Sequence, residues 1–295
     1  MIIVQLTGGL GNQLFQYAMG RALSERSKDT LMLDINSYSW DTLRKYELAV
    51  FNIRAHYATK EEIENIKQSN PLFKDCLINK LKRTPLPYFK LPYLKEQSFK
   101  FDLNYLNFKS KNVYVEGYWQ SENYFSLIRS QLIKEIYVPA DKFSTKFQDY
   151  RKLIHSSISS ISIHVRRGDY VLNSETTAFH GLCDIDYYRN AMELMEQTIS
   201  NPTYFVFSDD KEYVYEIFGS KENVSIIQNL NFDYEEMFLM SLCKHNIIAN
   251  SSFSWWGAWL NQHEAKKVVA PKRWFANDAM QQLTHDLIPS NWIKI

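Results

Sequence analysis

The sequence has few cysteines and no long apolar segment. Its three cysteines, Cys76, Cys183 and Cys243, form no Cys-x-x-Cys pair, which excludes the common zinc-binding spacings and predicts a reduced, cytoplasmic setting. No apolar run approaches the length of about 18 residues that a membrane span requires. The first residues also lack the basic segment of a secretory signal. We therefore expect a cytoplasmic protein, with peripheral contact to the inner face of the membrane as the one form of membrane association left open.

An excess of charge of either sign is also missing. The chain has 34 lysine and arginine residues against 33 aspartate and glutamate residues, which gives a net charge of +1. General nucleic-acid binders carry a strong basic excess, so we expect no nucleic-acid partner. Residues 74–100 are locally basic. A solvated surface segment is the favoured interpretation of this stretch, with an acceptor-side loop or a contact to an anionic membrane surface as alternatives.

The composition is that of a globular protein. Hydrophobic residues make up 45% and charged residues 23% of the 295 residues, and this length is sufficient for two domains with separate cores. Residues 138–157 are polar and mixed in character. We place the domain boundary in this stretch, which gives domains at 1–154 and 155–295.

The first half begins with the pattern strand, glycine turn, helix. An apolar run at residues 2–6 precedes Thr7-Gly8-Gly9-Leu10-Gly11-Asn12-Gln13, after which apolar residues recur at helical spacing. Rossmann-like domains begin in this way, and Asp34 follows the next strand where such folds hold a ribose. An NAD-dependent oxidoreductase is therefore an alternative. It is weakened by Leu14, which occupies the position of the third motif glycine. Glycines in a turn also have a conformational explanation, because glycine adopts positive φ at little cost.

The most informative stretch is Ser160 to Tyr170, which reads S-I-S-I-H-V-R-R-G-D-Y. Its first six residues alternate as in a short β-strand, and Arg166 and Arg167 follow directly. Arginine is rarely buried without a partner, and its planar fork matches carboxylate or phosphate. Ligands bind at the carboxyl ends of strands in open α/β sheets. We interpret this stretch as an anion site, with a structural ion pair to Asp169 as the alternative.

The second half alternates strands and helices, which predicts a parallel, doubly wound sheet. Three loops should then meet at one sheet edge, those that contain Arg166 and Arg167, Asp209 and Asp210, and Ser251, Ser252 and Ser254. Cations and a helix start suit a diphosphate, and carboxylates suit the donor edge of guanine, so a nucleoside diphosphate is expected here. The alternatives are that the serines and aspartates cap helices and that Trp255, Trp256 and Trp259 only pack.

Asp184-Ile185-Asp186 has the D-x-D form with which some glycosyltransferases hold a divalent metal ion. It directly precedes a predicted helix, where acidic residues are favoured by capping and by the helix dipole. Capping is the favoured interpretation. With arginines available for the phosphates, a metal would be redundant, and we expect no metal site.

Taken together, five segments resemble the α-1,2-fucosyltransferase family. They are Gly8 to Leu14, Gly117-Tyr118-Trp119-Gln120-Ser121-Glu122, His164-Val165-Arg166-Arg167-Gly168-Asp169, Phe207 to Asp210, and Asn250 to Gly257. The third segment carries an H-x-R-R-x-D motif that α-1,6- and protein O-fucosyltransferases share. The glycine motif and the S-S-F-S-W-W segment resemble the α-1,2 group more narrowly.

The resemblance implies an α/β, GT-B-like fold in which two Rossmann-like domains face each other across a cleft. Residues 1–154 would form the acceptor-side domain and 155–295 the GDP-fucose-binding domain, without a metal or other cofactor. Arg166 would hold the diphosphate, and His164 with Asp209 or Asp210 would recognise guanine. The remaining donor-binding positions implied are Gly9, Gly11, Arg167, Ser251, Ser252 and Phe253, and Asn12 would reach toward the donor.

The implied reaction is transfer of L-fucose from GDP-β-L-fucose to the 2-hydroxyl of a terminal β-galactoside, with inversion. The acceptor would be an oligosaccharide or glycolipid of a bacterial surface glycan. Asp169, Glu116 and Glu122 are candidates for the base that deprotonates the acceptor, and the departing phosphate is a further one. A fucosyltransferase of another linkage, the oxidoreductase and a non-catalytic sugar-binding protein are the alternatives.

Overall fold

The computed structural model describes residues 1–68, 92–108, 111–168, 171 and 174–295. The chain divides into two compact units, Met1–Tyr137 and Val138–Ile295. Each unit has its own parallel β-sheet, so the prediction of two α/β domains is confirmed.

The first unit is built on the strands β1 to β5, which pair in the order β3-β2-β1-β5-β4 with every pair parallel. The strands are β1 Ile2–Gln5, β2 Leu31–Asp34, β3 His56–Tyr57, β4 Tyr93–Lys95 and β5 Val113–Glu116. The helices described in this unit are α1 Leu10–Ser27, α2 Lys60–Gln68 and α3 Arg129–Glu135.

Helix α1 packs directly on the central strand of this sheet. Its residues are buried from Gln13 through Leu23, because it lies over a sheet whose strands β1 and β5 are apolar and buried. At Gly20, a Cβ atom would lie 2.5 Å from Val4 Cγ2. Glycine at this position therefore allows the close approach of helix and strand.

The second unit has six strands in the order β11-β10-β9-β6-β7-β8, again with every pair parallel. The strands are β6 Ser160–Val165, β7 Thr203–Ser208, β8 Val224–Ile226, β9 His245–Ile247, β10 Val268–Ala270 and β11 Ile293–Lys294. The helices are α4 Thr145–Ser156, α5 Ser174–His180, α6 Ile185–Glu196, α7 Lys211–Phe218, α8 Asp233–Leu242, α9 Ser252–Leu260 and α10 Asp278–Gln281.

Each sheet has a point at which the strand order reverses. In the second unit the chain runs from β6 outward to β7 and β8, and then returns to place β9 on the other side of β6. In the first unit the same reversal separates β1 from β5. Ligands of open α/β sheets bind outside the carboxyl ends of strands at such switch points. The loops after β6 and β9, and those after β1 and β5, are therefore the places to look for a site.

The predicted boundary between residues 154 and 155 was wrong. Helix α4 belongs to the second unit, because its buried residues Phe147 and Ile154 lie on one face. Just before the helix, the Phe143 ring contacts the α8 residue Phe238, at 5.7 Å between centroids. The Ser144 amide also donates to Glu235 Oε1 at 2.6 Å. The polar residues of this stretch occupy the outer face of a packed helix.

No helix among the described residues has the length and apolar character needed to cross a membrane. Residues 74–91 lie outside the described residues. The expectation that residues 74–100 contact an acceptor or a membrane surface stays a prediction.

Candidate functional site

The two arginines at the end of β6 are paired with the two aspartates at the end of β7. Parallel pairing places Val165 opposite Ser208, so the next residues of the two strands meet. Arg166 Nη1 lies 2.7 Å from Asp209 Oδ2, and Arg167 Nε donates to Asp210 Oδ2 at 3.0 Å. The backbone amide of Arg167 donates to Asp209 Oδ1 at 2.9 Å. The sequence prediction of three converging loops is confirmed for these two.

Asp169, the predicted ion-pair partner and candidate base, lies outside the described residues. An ion pair with Asp169 therefore stays a prediction, and the described partners of the two guanidiniums lie at the end of the neighbouring strand. This pairing fixes both arginines at the sheet edge, since each is held by a carboxylate about 40 residues further along the chain.

Asp210 has two roles at once. Its Oδ1 accepts from the Tyr213 amide at 3.0 Å and so caps helix α7, as the capping alternative predicts. That hydrogen bond, together with the neighbouring Arg167 guanidinium, lowers the pKa of the Asp210 carboxyl. The Arg167 guanidinium in turn lies over the Tyr213 ring, with its Cζ 3.6 Å from the ring centroid. The cation is held from two sides, by a charge and by a π face.

The glycine that follows the two arginines, Gly168, is required for steric reasons. A Cβ atom at this position would lie 2.4 Å from Asp209 Oδ2, closer than carbon and oxygen approach without displacement. The chain after β6 can therefore approach the Asp209 carboxylate only where a side chain is absent.

His164 is buried at the end of β6, beneath the arginines. Burial lowers the pKa of its imidazole to about 3; the negative charge of Asp209 opposes this effect, and Arg166 and Lys211 add to it. The ring is therefore neutral at physiological pH. Its Nδ1 has no hydrogen-bond partner among the described residues, and its ring lies 5.6 Å from the Phe253 ring. A buried polar atom without a protein partner is unusual in native structures and suggests that a ligand completes it.

The serine-rich segment after β9 starts helix α9. The Ser251 hydroxyl accepts from the Phe253 amide at 3.3 Å and caps the helix. Trp255, Trp256 and Trp259 are completely buried. The alternatives of capping for Ser251 and packing for the tryptophans are both confirmed. Ser252 and Phe253 remain partly exposed in the first turn, where backbone N–H groups point outward.

The D-x-D segment is a helix start, as the favoured interpretation predicts. Asp184 Oδ1 accepts from the Tyr187 amide at 2.8 Å and caps α6. Asp186 pairs with Arg189 on the same helix at 3.3 Å. Over the described residues, no three histidine, cysteine, aspartate or glutamate side chains form a group that could hold a metal ion.

At the switch point of the first unit, the loop after β1 leads into α1. Gly8 has φ +76°, and Gly9 is the residue at which the helix is capped. Gly11 is buried within the first turn, and Asn12 is half-buried. Asn12 Oδ1 accepts from Gln120 Nε2 at 2.9 Å, which connects the loops after β1 and β5.

Two buried glutamines of α1, which the sequence reading did not single out, hold this loop in place. Gln13 Nε2 donates to Gly8 O and Lys45 O, and its Oε1 accepts from the Glu47 amide. Gln16 links the other side, since Thr7 N donates to its Oε1 and its Nε2 donates to Gly117 O. Both side chains are completely buried and use their donor and acceptor ends.

Asp34 has structural partners instead of a free carboxylate. It is buried, and its Oδ2 accepts from the hydroxyl of Tyr114 on β5 at 2.6 Å. Its Oδ1 accepts from the backbone and side chain of Asn36. This arrangement counts against the oxidoreductase alternative, which needs the same carboxylate for a ribose.

The candidate bases Glu116 and Glu122 differ in surroundings. Glu116 accepts from the Tyr93 hydroxyl and lies 2.7 Å from Lys95 Nζ. Burial raises the pKa of the Glu116 carboxyl, but these hydrogen bonds outweigh it and lower the pKa overall, which makes Glu116 a weak base. Glu122 is partly exposed in a short 3₁₀ turn and interacts electrostatically with Arg129.

Glu96, directly after β4, is the carboxylate that the sequence reading missed. It accepts from the amides of Tyr118 at 2.6 Å and Trp119 at 3.1 Å. Burial raises the pKa of Glu96 to about 7, against the opposing effect of these backbone hydrogen bonds. No sequence signal marked it, because β4 has only three residues and follows a basic, proline-interrupted stretch.

Comparison with known proteins adds an independent line of support. The family described as Glycosyl transferase family 11 matches residues 1–295. The chain is 36% identical over 308 residues to the O-antigen biosynthesis glycosyltransferase WbnK of Escherichia coli, covering 98% of this chain and 99% of that protein. It is 33% identical over 300 residues to an alpha-1,2-colitosyltransferase of Escherichia coli, covering 100% and 99%.

A solved structure supports the fold. The structure of an Arabidopsis thaliana FUT1 variant in complex with GDP superposes with a TM-score of 0.50 at 11% identity, covering 90% of this chain and 69% of that one. At this level of identity the likeness concerns the fold alone. With the two parallel sheets described above, the GT-B-like α/β class predicted from the sequence is confirmed.

Proposed function

Because this chain belongs to glycosyl transferase family 11, we propose that it transfers L-fucose from GDP-β-L-fucose to the 2-hydroxyl of a terminal β-galactoside, with inversion. Membership establishes the glycosyltransferase class, and the donor and acceptor are the proposal. The observation that carries it is the arginine pair at the end of β6, fixed by Asp209 and Asp210 at the switch point of the second sheet. The second unit is then the donor-binding unit and the first unit the acceptor-binding unit.

The donor diphosphate is proposed to bind between the loops after β6 and β9. Arg166 and Arg167 supply guanidinium donors, and the first-turn amide of α9 at Ser252 supplies a hydrogen bond. Gly9, Gly11 and Asn12, at the start of α1, stay donor-site predictions that the family resemblance implies. No metal is part of this proposal, in which the two guanidiniums and the helix start hold the diphosphate.

Recognition of guanine is proposed for His164 and the two aspartates. The neutral imidazole offers one donor and one acceptor, and its Nδ1 has no hydrogen-bond partner within the described part of the chain. Asp209 and Asp210 keep lone pairs beyond the arginine contacts, because a carboxylate accepts about four hydrogen bonds. These groups match a base edge that presents N–H donors.

The chemistry follows from where charge develops. As the bond between the fucosyl carbon and the phosphate oxygen breaks, the β-phosphate gains negative charge and the sugar becomes oxocarbenium-like. A guanidinium that is already oriented stabilises this charge more in the transition state than in the ground state. The acceptor 2-hydroxyl attacks from the opposite face and loses its proton to a carboxylate, with Asp169, Glu116 and Glu122 as candidates, or to the leaving phosphate.

The proposal is tested by incubating the purified chain with GDP-β-L-fucose and a panel of β-galactosides, followed by linkage analysis of the product. We expect acceptor-dependent GDP release, an α-1,2-linked fucose, and the same rate in excess EDTA. Another linkage would overturn the acceptor assignment, and a strict requirement for Mn²⁺ would overturn the metal-free donor site. NAD(H) should give no thermal stabilisation, whereas GDP should.

A second candidate donor is a colitose nucleotide. The relative that is 33% identical over the whole chain is named an alpha-1,2-colitosyltransferase, and the relative named WbnK belongs to O-antigen biosynthesis. The second name agrees with a bacterial surface glycan as the product. Competition between GDP-fucose and GDP-colitose in one reaction measures the ratio of kcat/KM directly. A ratio in favour of colitose would replace fucose as the donor while leaving the arginine site intact.

A further inference from the structure

The loop that follows β5 has an unusual backbone. Residues 117–120, here called the 117–120 loop, contain Gly117 with φ +157° and Trp119 with φ +56°. A Cβ atom on Gly117 would lie 2.4 Å from Glu96 Cβ, so glycine permits the close approach of the two loops. Positive φ is uncommon for a residue such as tryptophan. Strained backbone of this kind persists only where surrounding contacts hold it, and it clusters at functional sites.

The contacts that hold this loop come from three directions. The Glu96 carboxylate accepts from two successive amides, those of Tyr118 and Trp119. Gln16 Nε2 donates to Gly117 O at 3.1 Å, and Gln120 Nε2 donates to Asn12 Oδ1 at 2.9 Å. The loop is therefore tied to the end of β4 and to the start of α1.

Two adjacent aromatic side chains of this loop differ in exposure. The Trp119 ring is completely buried, 5.0 Å from the Tyr105 ring and 5.5 Å from the Tyr124 ring. The Tyr118 side chain is 40% exposed, and its ring stacks on Phe99 with centroids 6.0 Å apart and planes 13° apart. A partly exposed aromatic ring is thus held on a fixed backbone, in a loop that is bound to Asn12 at the start of α1.

A second tyrosine lies at the same edge. The Tyr38 hydroxyl donates to Gly8 O at 3.0 Å, next to the start of α1. Burial is the main cause of the raised pKa of Tyr38, and the charges of Glu47, Asp41 and Tyr118 add to it. The Tyr118 and Tyr38 side chains therefore interact electrostatically.

We propose that the exposed face of Tyr118 is the stacking surface for the acceptor sugar, and that Glu96 is the residue that positions it. This inference rests on the proposed function. A β-galactopyranose fits such a surface, because its axial 4-hydroxyl leaves the C–H groups at carbons 3, 4 and 5 together on one apolar face. Tyrosine suits this role, since it offers a flat apolar ring and a polar tip. The Tyr118 and Tyr38 hydroxyls and the Asn12 amide would then address the sugar hydroxyls.

The test compares Tyr118→Ala with Tyr118→Phe and with the control Tyr137→Ala, a tyrosine of the same unit that is 52% exposed. We expect Tyr118→Ala to raise the acceptor KM by roughly 5- to 10-fold, the effect of losing one stacking contact. The donor KM and the acceptor-independent hydrolysis of GDP-fucose should stay within about twofold of wild type. Tyr118→Phe should keep most of the acceptor affinity, and Tyr137→Ala all of it.

Glu96→Gln provides the positioning test. The glutamine side chain has only one oxygen that can accept hydrogen bonds from the amides of Tyr118 and Trp119, so the 117–120 loop should be held less firmly. The acceptor KM should then rise, while acceptor-independent hydrolysis is unchanged. An acceptor KM that is unchanged in Tyr118→Ala would overturn this inference and leave the proposed function standing. Absence of transfer by the wild-type chain, with GDP-fucose and every galactoside tried, would instead overturn the proposed function.

Discussion

The two switch points share a topology and differ in chemistry. At the end of β6, two guanidiniums pair with two carboxylates at 2.7 and 3.0 Å. At the ends of β1 and β5, the connecting side chains are mainly the neutral amides of Gln13, Gln16 and Gln120. Fixed charges suit a ligand whose own charge changes during the reaction, whereas an amide network with an exposed aromatic ring suits a neutral sugar. The strand order locates both proposed sites, and the proposed functions differ because the residues at the strand ends differ.

The largest effect is expected when a positive charge is removed at the switch point of the second unit. Arg166→Ala is expected to lower kcat about 10²–10³-fold, because a fixed donor to the developing phosphate charge is lost. The fold should persist, since Asp209 keeps its hydrogen bond from the Arg167 amide. Steady-state kinetics with GDP-fucose, together with a thermal melt, measures both effects. The matched control is Arg189→Ala, which removes an exposed arginine paired with Asp186 on α6. Turnover equal to wild type in Arg166→Ala would refute the assignment of the donor site.

A second test compares glycines at the two switch points. Gly168→Ala forces a Cβ atom to within 2.4 Å of Asp209 Oδ2, so the Arg166–Asp209 pair must shift. A displacement of about 1 Å at a reacting group costs about 10²-fold in rate. Gly9→Ala places its Cβ 3.8 Å from Arg44 Cδ, an ordinary contact, at a backbone φ of −76° that alanine adopts freely. Thermal stability and kcat/KM are measured for both variants.

In Gly168→Ala we expect a large loss of activity, and in Gly9→Ala wild-type stability. Loss of activity in Gly9→Ala without loss of stability would show that the donor approaches this glycine as closely as the sequence motif implies. Full activity in Gly168→Ala would contradict the view that the arginine geometry is fixed by Asp209.

The sequence was most informative where chemistry and strand pattern coincide. The alternation in residues 160–165 predicted β6, and parallel pairing then brought Arg166 and Arg167 to Asp209 and Asp210. The actual partners could not be predicted, because a register between strands 40 residues apart leaves no local signal. For the same reason, the sequence could not distinguish a helix-capping role of Asp210 from a ligand-binding role. In the structure Asp210 caps α7 and also accepts a hydrogen bond from Arg167.

Predictions from the sequence were poorest for short elements and for helices whose mainly polar composition includes a buried apolar face. Glu96 follows a strand of three residues within a basic stretch, and its importance arises from amides 22 and 23 residues away. The domain boundary was misplaced because α4 is polar on average, yet buries Phe147 and Ile154. Gln13 belongs to the glycine-rich motif that suggested a ligand and Gln16 follows it by three residues, although both side-chain amides bind the protein backbone.

A third prediction concerns His164 and the acid limit of stability. The folded-state pKa of about 3 lies below the ordinary value of 6.5, so the unfolded chain binds a proton that the folded chain does not. This residue therefore stabilises the fold above pH 6.5, and the contribution is lost as the pH falls toward 3. Between pH 6.5 and 5 the loss is about 2 kcal/mol, at about 1.4 kcal/mol per pH unit.

Urea unfolding of wild type and His164→Asn at several pH values isolates this contribution. The variant is expected to be less stable at pH 7 but to show a flatter dependence between pH 6.5 and 5. The two curves falling in parallel over that range would mean that the imidazole is protonated in the folded state, and that it does not offer guanine a neutral ring.

The fourth prediction, with the smallest expected effect, concerns the pH dependence of the stability that Glu96 contributes. Glu96 has a folded-state pKa raised to about 7 by burial, from an ordinary value of 4.5, so the folded chain holds a proton that the unfolded chain releases. Its contribution to stability is complete below pH 4.5 and is lost as the pH rises to 7, the opposite direction to His164. The stability of wild type relative to Glu96→Gln should therefore decrease from pH 5 to pH 8 in urea unfolding, while that of wild type relative to His164→Asn increases from pH 5 to 6.5.

A wild-type advantage over Glu96→Gln that grows with pH would mean that the amides of Tyr118 and Trp119 outweigh burial and keep the carboxylate ionised. The edge of the first unit would then carry a fixed charge, as the edge of the second unit does.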